Sequence, residues 1–221
     1  MYFDKYYLFL VIPALIISMY AQFKVTSTYR KYKGVGLYKT AYDFARELLD
    51  KNGLYNVKIE LISGELTDHF NPRTNTVSLS AGSSNSVSDI GVACHEVGHA
   101  IQHATNYKPL KVRAALVPIT QIGSTIAIPL AFMGFFMGME LLVNIGIILF
   151  FTVCLFQLIT LPVEFNASIR AVNYLENELN PNQLSAVKKV LSAAALTYVA
   201  ALLTSIANLA RLILLKNRND R

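Results

Sequence analysis

The segment His95-Glu96-Val97-Gly98-His99 sets two imidazoles four residues apart, with a carboxylate beside the first. On a helix, positions i and i+4 share a face, so both rings can reach one metal ion. The carboxylate next to them can serve as general base toward a water that such an ion activates. This is the H-E-x-x-H arrangement of zinc-dependent peptide hydrolysis. Histidine is scarce in the chain, four in all, and three of the four (His95, His99 and His103) fall in the one helix predicted here.

A hydrolytic zinc takes three protein ligands and keeps a fourth position open. The extended motif would place Gly at position 102 and His at 105, where this chain has Gln102 and Thr105. The third ligand is therefore expected from elsewhere, most simply a glutamate on a later helix. Glu164, Glu176 and Glu178 are the candidates. Glu164 is favoured because a carboxylate between Val163 and Phe165 is costly unless it is paired or holds a metal. Other polar groups can support the site. Asp68 and Asn166 are candidates for hydrogen bonds to the free ring nitrogens of the ligating histidines. His69, read as part of a loop before an edge strand, is a candidate for orienting substrate. His103, one turn beyond His99, is read as a supporting histidine, and Tyr174 as a packed or interfacial tyrosine, with oxyanion stabilisation as the alternative.

The elements that carry these residues follow from pattern. Leu37 to Lys51 is amphipathic with Gly53 as a stop, Val57 to Ile62 alternates as a strand, and Thr76 to Ser80 reads as a second short strand. Ser63 through Asn75 is turn-rich. Ser86-Val87-Ser88-Asp89 resembles a capping box with Asp in the last place, opening a helix that runs to about Thr105.

The rest of the chain is written for lipid. Of 221 residues, 53% are hydrophobic and only 15% charged, against about 25% charged in a typical soluble domain. A disordered chain is excluded, and the composition argues against a purely soluble one. A first apolar run covers residues 6–23, and a retained anchor fits it better than a cleaved leader, because the basic cluster lies downstream. Residues 114–161 carry a single charge, Glu140, and are twice too long for one crossing, so they read as a membrane hairpin. A fourth run, residues 190–215, is rich in Ala and Leu, with small residues suited to helix packing in lipid.

The expected organisation is an anchor (1–23), a soluble zincin-like segment (24–113), the hairpin (114–161), a helix with the third ligand (162–189) and a last span with a basic tail (190–221). The fold class is mainly α, a polytopic membrane protein with about four transmembrane helices and a small α+β cytoplasmic segment. The net charge of +6 is read as topology rather than nucleic-acid binding. Fifteen Lys and Arg fall on the side of 24–113 and 162–189, and five (Lys5, Arg211, Lys216, Arg218, Arg221) on the other. The bias puts the candidate site at the cytoplasmic face of a cell membrane. Cys94 and Cys154 form no disulfide framework.

HEVGHAIQ at 95–102, Asp68-His69 followed by Asn71-Pro72-Arg73, Pro162-Val163-Glu164-Phe165 ahead of Ala167-Ser168, and LSAAALTYVAALL together resemble the bacterial YugP-type neutral zinc membrane metallopeptidases. The resemblance covers nearly the whole chain. It implies one zinc per chain held by His95, His99 and Glu164, with Glu96 as catalytic base, and places the chain near the gluzincins, akin to the CAAX-type and heat-shock membrane proteases. The family usually carries Asp where this chain has Asn166, which removes a charge close to the site.

The expected activity is hydrolysis of peptide bonds in cytoplasmic or juxtamembrane segments, aligned by addition to the 76–80 strand. The expected partners are the lipid bilayer and protein or peptide substrates. The competing reading is a membrane adaptor or holdase with a structural zinc site. Glu96 argues against it, since a closed structural site has no need of a base. A metal sensor or transporter would need ionisable groups along its spans, where only Arg211 qualifies.

Overall fold

The computed structural model describes residues 4–219; Arg221, counted above in the charge asymmetry, lies outside the described residues. A π-helical turn (Tyr7–Val11) runs into α1 (Ile12–Tyr32). There follow α2 (Ala41–Lys51), β1 (Lys58–Leu61), β2 (His69–Asn71), β3 (Thr76–Leu79), α3 (Val87–Ala104), α4 (Lys108–Met137), α5 (Glu140–Leu175) and α6 (Pro181–Asn219). Four helices, residues 7–32, 108–137, 140–175 and 181–218, are long and apolar enough to cross a membrane. The chain is thus a mainly α, polytopic membrane protein with one small sheet.

Two compact units divide it. One takes the chain up to Gln22, Lys111–Leu161 and Leu196 onward; the other takes Phe23–Leu110 and Pro162–Ala195. In the first, α4 and α5 form the expected hairpin. It turns at Gly138, whose φ of +65° is a left-handed conformation that a side chain would strain. Glycines draw the two helices together: a Cβ at Gly146 would lie 2.7 Å from the Ala127 carbonyl oxygen, and one at Gly123 2.9 Å from that of Leu149. Such contact is what holds helices together where lipid offers no hydrophobic gain. Two ion pairs lie in this unit. Arg211 donates from Nε to Asp4 Oδ2 at 2.6 Å, and Lys216 Nζ lies 3.1 Å from Glu140 Oε1.

The second unit holds the sheet and α3. Helix α2 starts at Ala41 rather than Leu37, because Thr40 and Asp43 close a reciprocal capping box there. Its apolar face, Phe44, Ala45, Leu48 and Leu49, is buried against the core. The sheet order is β1-β3-β2, with β1 parallel and β2 antiparallel to β3. This corrects the reading of 76–80 as an edge to which substrate adds. β3 is central and buried throughout, so both of its edges are already paired. The turn-rich stretch before it contains a strand of its own, β2, and His69 sits on that strand rather than in a loop. The start of α3 also differs from expectation. Ser86 caps it by accepting from the Ser88 amide, while Asp89 is buried and accepts a short hydrogen bond from the Tyr29 hydroxyl. Ser88 Oγ donates to the Tyr29 carbonyl at 2.8 Å, so the first turn of α3 is tied to α1 at two points.

Candidate metal centre

Helix α3 presents His95 and His99 on one face, with ring centroids 4.8 Å apart and nearly perpendicular. Opposite them α5 presents Glu164, which is only 2% exposed. Its Oε2 lies 3.3 Å from His95 Nε2 and 3.4 Å from His99 Nε2. Ligand atoms about 2.05 Å from a tetrahedral zinc stand roughly 3.3 Å from one another. The two edges that meet at Glu164 match that separation, and all three candidate ligand atoms lie within 4.8 Å of one another. Glu176, by contrast, faces Lys188 at 3.8 Å, and Glu178 accepts from Lys51 at 2.7 Å. Arg170 does not pair with Glu164; its Nε donates to Asn166 Oδ1 at 2.9 Å.

Electrostatics favour a positive charge at the centre. Burial pushes the His99 ring toward its neutral form, yet the hydrogen bond to Glu164 and the charges of Glu96 and Glu164 outweigh it and leave its pKa above the ordinary value. Where a proton is favoured between these atoms, a cation fits the same place. Burial also pushes the Glu96 carboxyl upward, with the two histidines pulling it back. Glu96 Oε2 accepts from the Phe70 amide of β2 at 3.1 Å. That amide is not used in pairing with β3, so the free edge of β2 faces the carboxylate.

The far nitrogens of the two rings are held by groups the sequence reading did not single out. His95 Nδ1 meets Ser168 Oγ, and His99 Nδ1 meets Gln102 Oε1, each at 3.0 Å. Their positions carried a signal: Gln102 is three residues beyond His99, and Ser168 four beyond Glu164, each on its ligand's own helical face. The residues expected in that role do other work. Asp68 accepts from the Ser80 amide at 2.9 Å and from the Ser80 hydroxyl at 2.5 Å, tying the approach to β2 to the end of β3. Asn166 reaches His99 only through Gln102 Nε2, 3.1 Å away. Tyr174 is not at the cluster: it packs in the core against Phe44 and donates to Glu47 Oε2 at 3.2 Å. His103 is exposed, its ring 5.7 Å from that of Phe70. His69, also exposed, has Nδ1 3.0 Å from the Thr67 carbonyl oxygen.

Comparison with known proteins gives the family. Residues 7–217 match the family model described as "Putative neutral zinc metallopeptidase", and the chain belongs to that family. It is 46% identical over 216 residues to the "Putative membrane protease YugP" of Bacillus subtilis (strain 168), covering 95% of this chain and 96% of that protein. No solved structure matches it.

Proposed function

We propose that the chain is a membrane-embedded metalloendopeptidase of gluzincin type, in which His95, His99 and Glu164 hold one zinc ion and Glu96 is the general base. The observation that carries this reading is the triangle of His95 Nε2, His99 Nε2 and Glu164 Oε2, with edges of 3.3 and 3.4 Å to the carboxylate, beside a half-buried second carboxylate. Zinc held there supplies Lewis-acid polarisation of a carbonyl and lowers the pKa of a water. Glu96 keeps Oε2 on the Phe70 amide and uses Oε1 to take a proton from the attacking water and deliver it to the leaving nitrogen. Its upward-shifted carboxyl suits a group that must both accept and release that proton.

Substrate is an extended segment that lies along the free edge of β2, the edge that meets Glu96. The site faces the cytoplasm by the fifteen-to-five distribution of Lys and Arg. Glu164 follows the apolar 141–161 run by three residues, so the segments cleaved are cytoplasmic or juxtamembrane.

The test is hydrolysis of unfolded casein and of a panel of juxtamembrane peptides by zinc-loaded protein in detergent, beside Glu96→Gln. Wild type is expected to cleave them, while Glu96→Gln keeps its zinc and loses at least a hundredfold in rate. Full activity in Glu96→Gln, or no cleavage of any of these substrates by zinc-loaded wild type, would overturn the reading. Products cut deep within transmembrane segments would overturn the juxtamembrane assignment.

A further inference from the structure

The Gln102 side chain is fully buried, on the same helix as the two histidines. A buried amide is costly unless each of its polar atoms has a partner, and here the partners determine which way it points. Nε2 donates to the Val163 carbonyl at 2.7 Å and to Asn166 Oδ1 at 3.1 Å. Both acceptors are oxygens, so the amide cannot be turned over. Oε1 is therefore the atom at His99 Nδ1, 3.0 Å away, and that nitrogen must carry a proton. The lone pair of His99 is left on Nε2, the atom that faces Glu164. Asn166 is oriented by the same logic, because its Oδ1 also accepts from Arg170 Nε at 2.9 Å.

Val163 and Asn166 flank Glu164 on α5. We infer that Gln102 is a positioning residue of the metal centre: one neutral amide sets the tautomer of His99 and ties that ring to the turn of α5 that presents Glu164. Histidine ligands commonly lean on a carboxylate for this purpose. Here an amide does it without adding a negative charge, and Asn166, oriented by Arg170, backs it. The inference rests on the metal centre proposed above.

The test is zinc affinity, measured by chelator competition on folded protein in detergent, together with the visible spectrum of the cobalt-loaded form. Gln102→Met keeps the bulk and removes the amide. It is expected to weaken zinc binding about 10- to 100-fold and to change the cobalt spectrum. Asn166→Leu is expected to weaken zinc binding less, and Asn166→Asp, which keeps the acceptor for Gln102, to match or exceed wild type. A residue that merely filled space would lower the melting temperature and leave affinity and spectrum alone. That result for Gln102→Met overturns the inference. If Gln102→Met does not fold, equal affinities for Asn166→Leu, Asn166→Asp and wild type overturn it instead. His95→Ala separates the two levels of argument. If it too keeps full zinc, the metal centre itself is misassigned; if it loses zinc while Gln102→Met does not, only the role of Gln102 fails.

Discussion

Gly98 and Ala167 meet backbone to backbone: a Cβ on Gly98 would lie 2.6 Å from the Ala167 carbonyl oxygen and 3.0 Å from its Cα. Gly98 falls between the two histidines of α3, and Ala167 three residues after Glu164 on α5. The approach of these two helices is therefore set within one turn of the candidate ligands. It leaves no room for a methyl group, and that closeness lets a glutamate side chain from α5 reach both imidazoles.

Gly98→Ala should accordingly destabilise, although alanine is the better helix former by up to about 1 kcal/mol. The neighbour is main chain and cannot swing aside, so the helices must part, at a cost of about 1–3 kcal/mol. Gly91→Ala on the same helix is the control. Its Cβ meets the Val187 side chain at 3.2 Å, which can adjust. Melting in detergent should fall clearly for the first and little for the second, with zinc affinity reduced only in the first. Equal behaviour of the two variants would refute the close-approach argument.

Metal content distinguishes the carboxylates. Purified wild type should carry about one zinc per chain, Glu164→Ala should lose it and Glu176→Ala should keep it. Glu176 is exposed and faces Lys188, so retention there shows that loss in the other is not a general effect of removing an acid. Full zinc in Glu164→Ala would assign the third ligand elsewhere.

The junction of α1 and α3 is open to a mutant cycle. Tyr29 is 2% and Asp89 4% exposed, and Asp89 Oδ2 has no hydrogen-bond partner among the described residues. Tyr29→Phe removes the donor to Oδ1, leaving a buried acid unsatisfied, and should cost about 1–3 kcal/mol. Adding Asp89→Ala should cost less than the sum of the two single changes. Strict additivity in thermal melts would mean that the pair is not coupled.

Acid should expose one surface pair. The Lys51 ammonium, helped by the Tyr38 hydroxyl, holds the Glu178 carboxyl below its usual value. A carboxylate depressed in the folded state contributes stability that is fully present above its unfolded pKa of about 4.3 and is lost as the pH falls through the folded value. Lys51→Met should therefore lower the melting temperature slightly at neutral pH, by less than about 1 kcal/mol in stability. The gap from wild type should close in acid, followed by circular dichroism. A gap that persists well below pH 4 would show that Lys51 acts by packing rather than charge.

The spans, the hairpin and the histidine helix were legible in sequence because each rests on near-neighbour periodicity. Eighteen or more residues in a row without a charge, a break at Gly138, and a polar cap before an i, i+4 pair need no knowledge of what lies opposite. The sheet was only half legible. Two strands alternate visibly, but β2 is three residues long and lies in a stretch rich in turn formers, so Thr76 to Leu79 looked like an edge when it is the centre. Asp68 and Tyr174 each stayed open between two uses for a related reason: polar residues near a motif can serve it, cap a strand or fill a core, and composition does not separate these uses.

The sequence by itself determined the donor types, the four apolar crossings and the face that His95 and His99 share, all of which follow from local geometry. Only the tertiary structure decided that Glu164 closes the triangle, that β2 offers its free edge to Glu96, and that Gln102 and Ser168 hold the rings. These depend on contacts between β2 and α3, 26 residues apart in the chain, and between α3 and α5, 61 to 73 apart. The latter are set by the bare backbone approach at Gly98, which no periodicity records.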